Sequence, residues 1–164
     1  ARIAPIYEGT NGVQAMDLVG RKLGMNGGRA IQAFFTEVQQ FIEDNKDDET
    51  VGMQGGQLRA ALGHLQTATM WLMQNGMTNP DNAGAASSDY LRLMALVTFG
   101  YIWTQASKIS GDKLGNNADN ADFYRNKLTT AQFFFERMLP DTASLLTKIE
   151  AGSESMMTLD ANAF

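Results

Sequence analysis

The 164 residues include no cysteine, so neither a disulfide framework nor a thiolate metal site can be built, and a reducing intracellular compartment suits the chain. Histidine occurs once, at His64 in "ALGHLQTAT". With no second histidine, and no carboxylate three or four residues away, a packed or half-exposed side chain is expected there rather than a metal ligand. Only three prolines interrupt the chain, and runs of alternating apolar residues are few, which favours helices over strands. Lys and Arg number 13 against 18 Asp and Glu, for a net charge of −5. No basic stripe exists to attract phosphate backbones or anionic lipid, so nucleic acid and membrane surfaces are excluded as partners. No apolar run approaches the ~20 residues of a membrane helix, since "LRLMALVTFGYIW" soon meets Thr104, Gln105 and Lys108. The opening "ARIAPIYEGT" lacks the apolar core of a signal peptide, and a cytoplasmic location is the expectation.

What is present is helical periodicity. The length and the 44% hydrophobic content suit a globular body with a continuous core. Residues 28–44 place Ile31, Phe34, Phe35, Val38, Phe41 and Ile42 at steps of three and four, predicting an amphipathic helix that ends in the solvated run "DNKDDET". Leu58, Leu62, Leu65, Thr69 and Leu72 predict a second helix over 57–74, flanked by Met70, Trp71 and Met73 and stopped near Gly76. Asn79, Pro80 and Asp81 supply cap, first-turn proline and first-turn acid for a third; a start near Ser87 or Ser88 is the alternative. Between Tyr90 and Ile109 apolar residues cover most of the helix circumference, the pattern of an element surrounded by others. "GDKLGNNADNAD" reads as a loop ending in an N-cap. The segment 121–138 carries Tyr124, Leu128, Ala131, Phe135 and Met138 on one face, widened by Phe123 and Phe134. A short helix follows Pro140 through Leu145, Leu146 and Ile149 to Gly152. Met156, Met157, Leu159 and Phe164 suggest a tail that docks on the rest. The fold expected is all-α: an antiparallel bundle of about five or six helices with one long central member.

Several features have ordinary structural explanations. The ten methionines read as core filler, and the aromatic clusters at 99–103 and 133–138 as core and subunit-interface residues. Gly27–Gly28 and Gly55–Gly56 are not followed by the Lys-Ser/Thr of a phosphate loop, and "EDNKDDE" lacks the spacing and internal glycine of a calcium loop. The stretch "YEGTNG" is left with two readings. It is a turn leading into a helix capped by Thr10 or Asn11, or it presents Glu8 as a general base, with Gly9 allowing a ligand to approach and burial raising the carboxyl pKa.

"ARIAPIYEGTNGVQ" resembles the segment near the end of the catalytic fold of flavin-dependent acyl-CoA dehydrogenases, where R-I-x-x-I-Y-E-G-T-x-x-x-Q is typical. "DYLRLMALVTFGYIW" and "FYRNKLTTAQFFFERMLP" resemble the extra C-terminal helical domain of longer bacterial members, such as long-chain-type and methylthiopropanoyl-CoA dehydrogenases. The resemblance implies FAD as cofactor, an acyl-CoA substrate, electron-transfer flavoprotein as partner and a homo-oligomer. It implies that Glu8 removes the α-proton while its backbone N–H helps to stabilise the thioester enolate. Gly9 then lies against the substrate. Thr10, Asn11 and Gly12 touch the adenosine diphosphate part of FAD, with Gly12 departing from the glutamine common there, and Gln14 has a cofactor role. It further implies two regions, 1–26 closing the catalytic fold and 27–164 forming the helical bundle, and a C-terminal piece that is inactive alone because one segment can neither exclude water nor bind flavin and CoA. A non-enzymatic helical interaction module is the alternative.

Overall fold

The computed structural model describes residues 9–116 and 119–163. Seven α-helices run through them: α1 (Asn11–Asp17), α2 (Arg29–Asp44), α3 (Gly52–Trp71), α4 (Pro80–Gly115), α5 (Ala121–Arg137), α6 (Asp141–Glu150) and the single turn α7 (Glu154–Met157). No strand occurs among the described residues. Two of the helices widen at their C-terminal ends into π-helical turns, α1 at Leu18–Lys22 and α3 at Leu72–Gly76.

Between α1 and α2 the chain turns a corner through three successive left-handed residues, Asn26, Gly27 and Gly28, with φ of 53°, 68° and 76°. Two glycines supply that conformation without the Cβ clash an ordinary side chain would meet, which accounts for the first glycine pair. α2 then buries Ile31, Phe35, Val38 and Ile42, with Phe34 and Phe41 packed at the edges of the stripe. Along α3, Leu58, Leu62, Leu65, Thr69 and Leu72 are all buried as their spacing predicts. That helix starts earlier than its stripe, at Gly52, and buries Gly55 in its first turns, where an added Cβ would lie 3.7 Å from Ile42 Cγ2.

α4 is the long central helix. It begins at Pro80 rather than near Ser87, and the Asn79 side chain accepts a hydrogen bond from the Asp81 N–H at 3.1 Å. At 36 residues it spans roughly 54 Å, and α1, α3, α5 and α6 all pack against it. Neighbouring helices run antiparallel. Thr69 meets Tyr90 while Leu58 reaches Gly100, and Lys127 covers Trp103 while Phe134 reaches Gly100, so numbers rise on one helix as they fall on the other. The all-α bundle with one long member is therefore observed.

The structure corrects several expectations. α4 runs straight through the "GDKLG" expected to be loop. It is not enclosed on all sides, because Phe99, Ile102 and Ile109 are exposed. On α5 the buried face consists of Ala131, Phe134 and Phe135, while Phe123 and Met138 face solvent. Met156, Met157 and Leu159 are each more than 60% exposed, so the tail does not dock through them; Phe164 lies outside the described residues. The methionines are not core filler: Met16, Met25, Met53, Met70, Met73, Met77, Met138, Met156 and Met157 are exposed, leaving Met94 packed at the edge of the core.

Candidate functional site

Glu8, the expected base, lies outside the described residues. Description begins at Gly9, whose φ of +128° is a conformation that L side chains rarely adopt, and among the described residues no atom lies within 4 Å of where its Cβ would be. Thr10 follows as the N-cap residue of α1 through its backbone, its carbonyl accepting from the Gln14 N–H at 2.9 Å with no side-chain cap bond. Thr10, Asn11, Gly12 and Gln14 are all exposed, and only Ala15 of α1 is buried. The expected cofactor-contacting residues thus share one open helical turn, anchored by a single alanine.

Two turns further on, Asp17 accepts from Arg21 Nε and Nη2 at 2.5 and 3.0 Å and meets Lys22 Nζ at 3.0 Å. Hydrogen bonds from Arg21 and then Lys22 hold its carboxyl down at about 2, so it is a permanent anion and no acid–base candidate. A cleft of about 570 Å³ lined by Trp71, Asn75, Asn82, Glu150 and Ser153 contains none of the expected site residues. Its polar groups are largely engaged with one another. Asn82 Oδ1 accepts from both the N–H and the hydroxyl of Ser153, at 3.0 and 2.9 Å, and Asn75 Nδ2 donates to the Trp71 carbonyl.

His64 is half-buried, with Nδ1 3.1 Å from Thr142 Oγ1. Among the described residues no group of three or more His, Asp or Glu could hold a metal ion, and no helix is long and apolar enough to cross a membrane. The acidic loop contains one residue that sequence reasoning passed over. Asp48 is half-buried and accepts from the N–H groups of Thr50 and Val51, at 2.9 and 3.1 Å, and from Lys108 Nζ at 3.0 Å. The D-x-T spacing of an Asx turn was the available signal.

Residues 34–160 match the family model described as acetyl-CoA dehydrogenase C-terminal like. The chain belongs to that family. The match begins inside α2 and excludes the turn that carries Gly9 to Gln14. Alignment to whole proteins extends further. A broad-specificity linear acyl-CoA dehydrogenase of Mycobacterium tuberculosis is 26% identical over 172 aligned positions, covering 100% of this chain and 28% of that protein. A 3-methylmercaptopropionyl-CoA dehydrogenase of Ruegeria pomeroyi is 26% identical over 96% of this chain and 27% of its own length. A butyryl-CoA dehydrogenase of Syntrophomonas wolfei is 23% identical over 99% of the chain and 27% of its own length. This member of the acetyl-CoA dehydrogenase C-terminal-like family therefore spans a little over a quarter of the curated relatives it matches.

Proposed function

We propose that this chain is the C-terminal portion of an FAD-dependent acyl-CoA dehydrogenase that introduces an α,β double bond into an acyl-CoA thioester. The observation that carries the reading is the family match over 34–160, joined in the same polypeptide to "YEGT" at 7–10. In this reading residues 1–26 close the catalytic fold and 27–164 form the accessory bundle. The left-handed corner at Asn26–Gly28 supports a boundary there.

The exposed turn suits one edge of a flavin nucleotide in chemistry. Thr10 carries a hydroxyl, Asn11 and Gln14 carry carboxamides, and among the described residues no atom lies within 4 Å of a Cβ placed on Gly12. It supplies an edge and no walls, so the other parts of the pocket come from the remainder of the enzyme. A bound flavin supplies the acceptor for the β-hydrogen and its electron pair. Glu8 takes the α-proton on its carboxylate, and the electrons of the Cα–H bond become the new double bond. Its backbone N–H donates to the thioester oxygen, where negative charge develops, and Gly9 leaves the acyl chain unobstructed. Electron-transfer flavoprotein is the expected acceptor of the reducing equivalents.

The test is Glu8→Gln in the full-length enzyme. A carboxamide fills the same space but cannot take the proton, so kcat falls by at least about 10²-fold, the lower end of general-base contributions, with the flavin spectrum unchanged. Unaltered turnover would remove Glu8 as the base. The isolated 164-residue chain is expected to show no saturable FAD binding by flavin fluorescence.

A further inference from the structure

Ala95, Phe99, Ile102, Ala106 and Ile109 follow one another along α4 at steps of four, three, four and three, the spacing of a seam that receives a second helix. Phe99, Ile102 and Ile109 are 53%, 50% and 57% exposed. Phe123 of α5, at 55%, extends this surface, tied to it by Lys127, whose Nζ sits 5.7 Å from the Trp103 ring centre and 5.3 Å from that of Phe123. From Tyr90 to Gly111 there is no acidic residue, in a chain carrying 18 of them.

We propose that this stripe seats a helix from the remainder of the same polypeptide, the portion that this chain does not span in its relatives. The proposal rests on the reading of the chain as part of a longer enzyme. The seam spacing fits a helix, and three considerations favour that occupant over a second copy. The four half-exposed side chains offer roughly 300–500 Å² of apolar area, short of the ~800 Å² per partner of a free-standing interface. A tethered helix needs less, because its effective concentration is on the order of millimolar whatever the protein concentration. Finally, α1 already packs against α4, so polypeptide joined ahead of α1 is delivered beside the same helix.

The absence of cysteine makes the test direct. Ile102→Cys, and separately Ile109→Cys, introduce single thiols into the 164-residue chain; in the full-length polypeptide, labelling at each site is followed by mass spectrometry. The thiol is expected to react at least tenfold more slowly in the full-length protein than in the 164-residue chain. A control thiol from Met53→Cys, at a position 83% exposed, reacts alike in both, and one from Val97→Cys, fully buried in α4, stays unreactive in both, which establishes that the shorter chain is folded. Equal rates at the stripe in both contexts overturn the proposal. Protection in the 164-residue chain that grows with protein concentration also overturns it, by making a second copy the occupant. Flavin absorbance and dehydrogenase activity separate this from the functional reading. A protected thiol in a polypeptide without flavin upholds the docking and sinks the dehydrogenase. A reactive thiol in a flavin-loaded, active enzyme does the reverse.

Discussion

Tyr90 gives its hydroxyl proton to Thr69. The two oxygens are 2.8 Å apart and buried, and the single proton of Thr69 is already committed to the Leu65 carbonyl at 2.7 Å, so the phenol must be the donor. This ties α4 to α3 at the centre of the core, where Tyr90 is fully buried. Removing the two partners is predicted to have unequal effects. Thr69→Val leaves a buried hydroxyl without an acceptor, costing about 1–3 kcal/mol, whereas Tyr90→Phe loses only the net bond, about 1 kcal/mol. The double variant should recover part of the deficit. Urea unfolding of the four proteins measures this, and a Tyr90→Phe variant less stable than Thr69→Val would contradict the donor assignment.

The same hydroxyl predicts an alkaline transition. Burial pushes the Tyr90 phenol up to about 12. A native value above the ordinary 10 means that the contribution is whole below pH 10 and drains away as pH rises from 10 through 12. Thermal melts between pH 9 and 12 should show this loss, and Tyr90→Phe should flatten it.

Stripes of uniform meaning were legible in the sequence, while features that depend on a partner were not. Ile31, Phe35, Val38 and Ile42, and Leu58, Leu62 and Leu65, are buried as spaced, because three-four periodicity reports directly on a helix face. Periodicity records that a side chain is apolar, without saying whether anything covers it. That is why Phe99, Ile102 and nine methionines proved exposed. "GDKLG" has the composition of a loop, yet α4 continues through it, passing Thr50 closely at Gly111 just after Lys108 is bonded to Asp48. The expectation that Glu8 is the base rests on the likeness of "YEGT" to a known motif, since local chemistry alone favours a capping turn.

Gly111 lies where α4 passes the acidic loop. A Cβ there would meet the Thr50 hydroxyl and come within 2.9 Å of Thr50 Cγ2 and 3.0 Å of its Cβ, closer than packed atoms tolerate. Alanine in a helix interior gains about 1 kcal/mol over glycine, but overpacking costs roughly 1–3 kcal/mol, so Gly111→Ala is expected to destabilise on balance. Adding Thr50→Ala, which removes the obstructing hydroxyl and methyl and leaves only the Cβ contact at 3.0 Å, should recover part of that loss. Calorimetric Tm values decide it. A more stable Gly111→Ala single variant would mean that the loop yields freely.

His64 should hold its proton on Nδ1. Thr142 Oγ1 donates to the Leu139 carbonyl at 2.8 Å, so toward His64 Nδ1, 3.1 Å away, it can only accept. Being the sole histidine, the ring gives an unambiguous long-range ¹⁵N spectrum. In the neutral ring the Nδ1–H tautomer is expected, and Thr142→Val, which deletes the acceptor, should shift the population toward Nε2–H. An Nε2–H tautomer in the unaltered chain would reverse the direction of the bond.

Asp48 links the acidic loop to the far end of α4, and its charge makes that link sensitive to acid. Burial works to raise its carboxyl pKa, but Lys108 and the N–H groups of Thr50 and Val51 together outweigh this and hold it below the usual carboxylate value of 3.8. Stabilisation from a depressed native pKa is complete above the unfolded value and is lost as pH falls below it through the native one. Asp48→Asn retains an acceptor for the two backbone donors while cancelling attraction to Lys108. It should therefore lower stability modestly at pH 7 and differ progressively less from the unaltered chain below pH 4. Asp48→Ala removes the acceptor too, adding roughly 1 kcal/mol by analogy with a lost helix cap. Chemical denaturation from pH 7 down to pH 2 separates the two contributions. If the gap between the unaltered chain and Asp48→Asn stayed constant over that range, the ion pair would not be what carries it, because only the charge of Asp48 disappears in acid while the loop geometry does not.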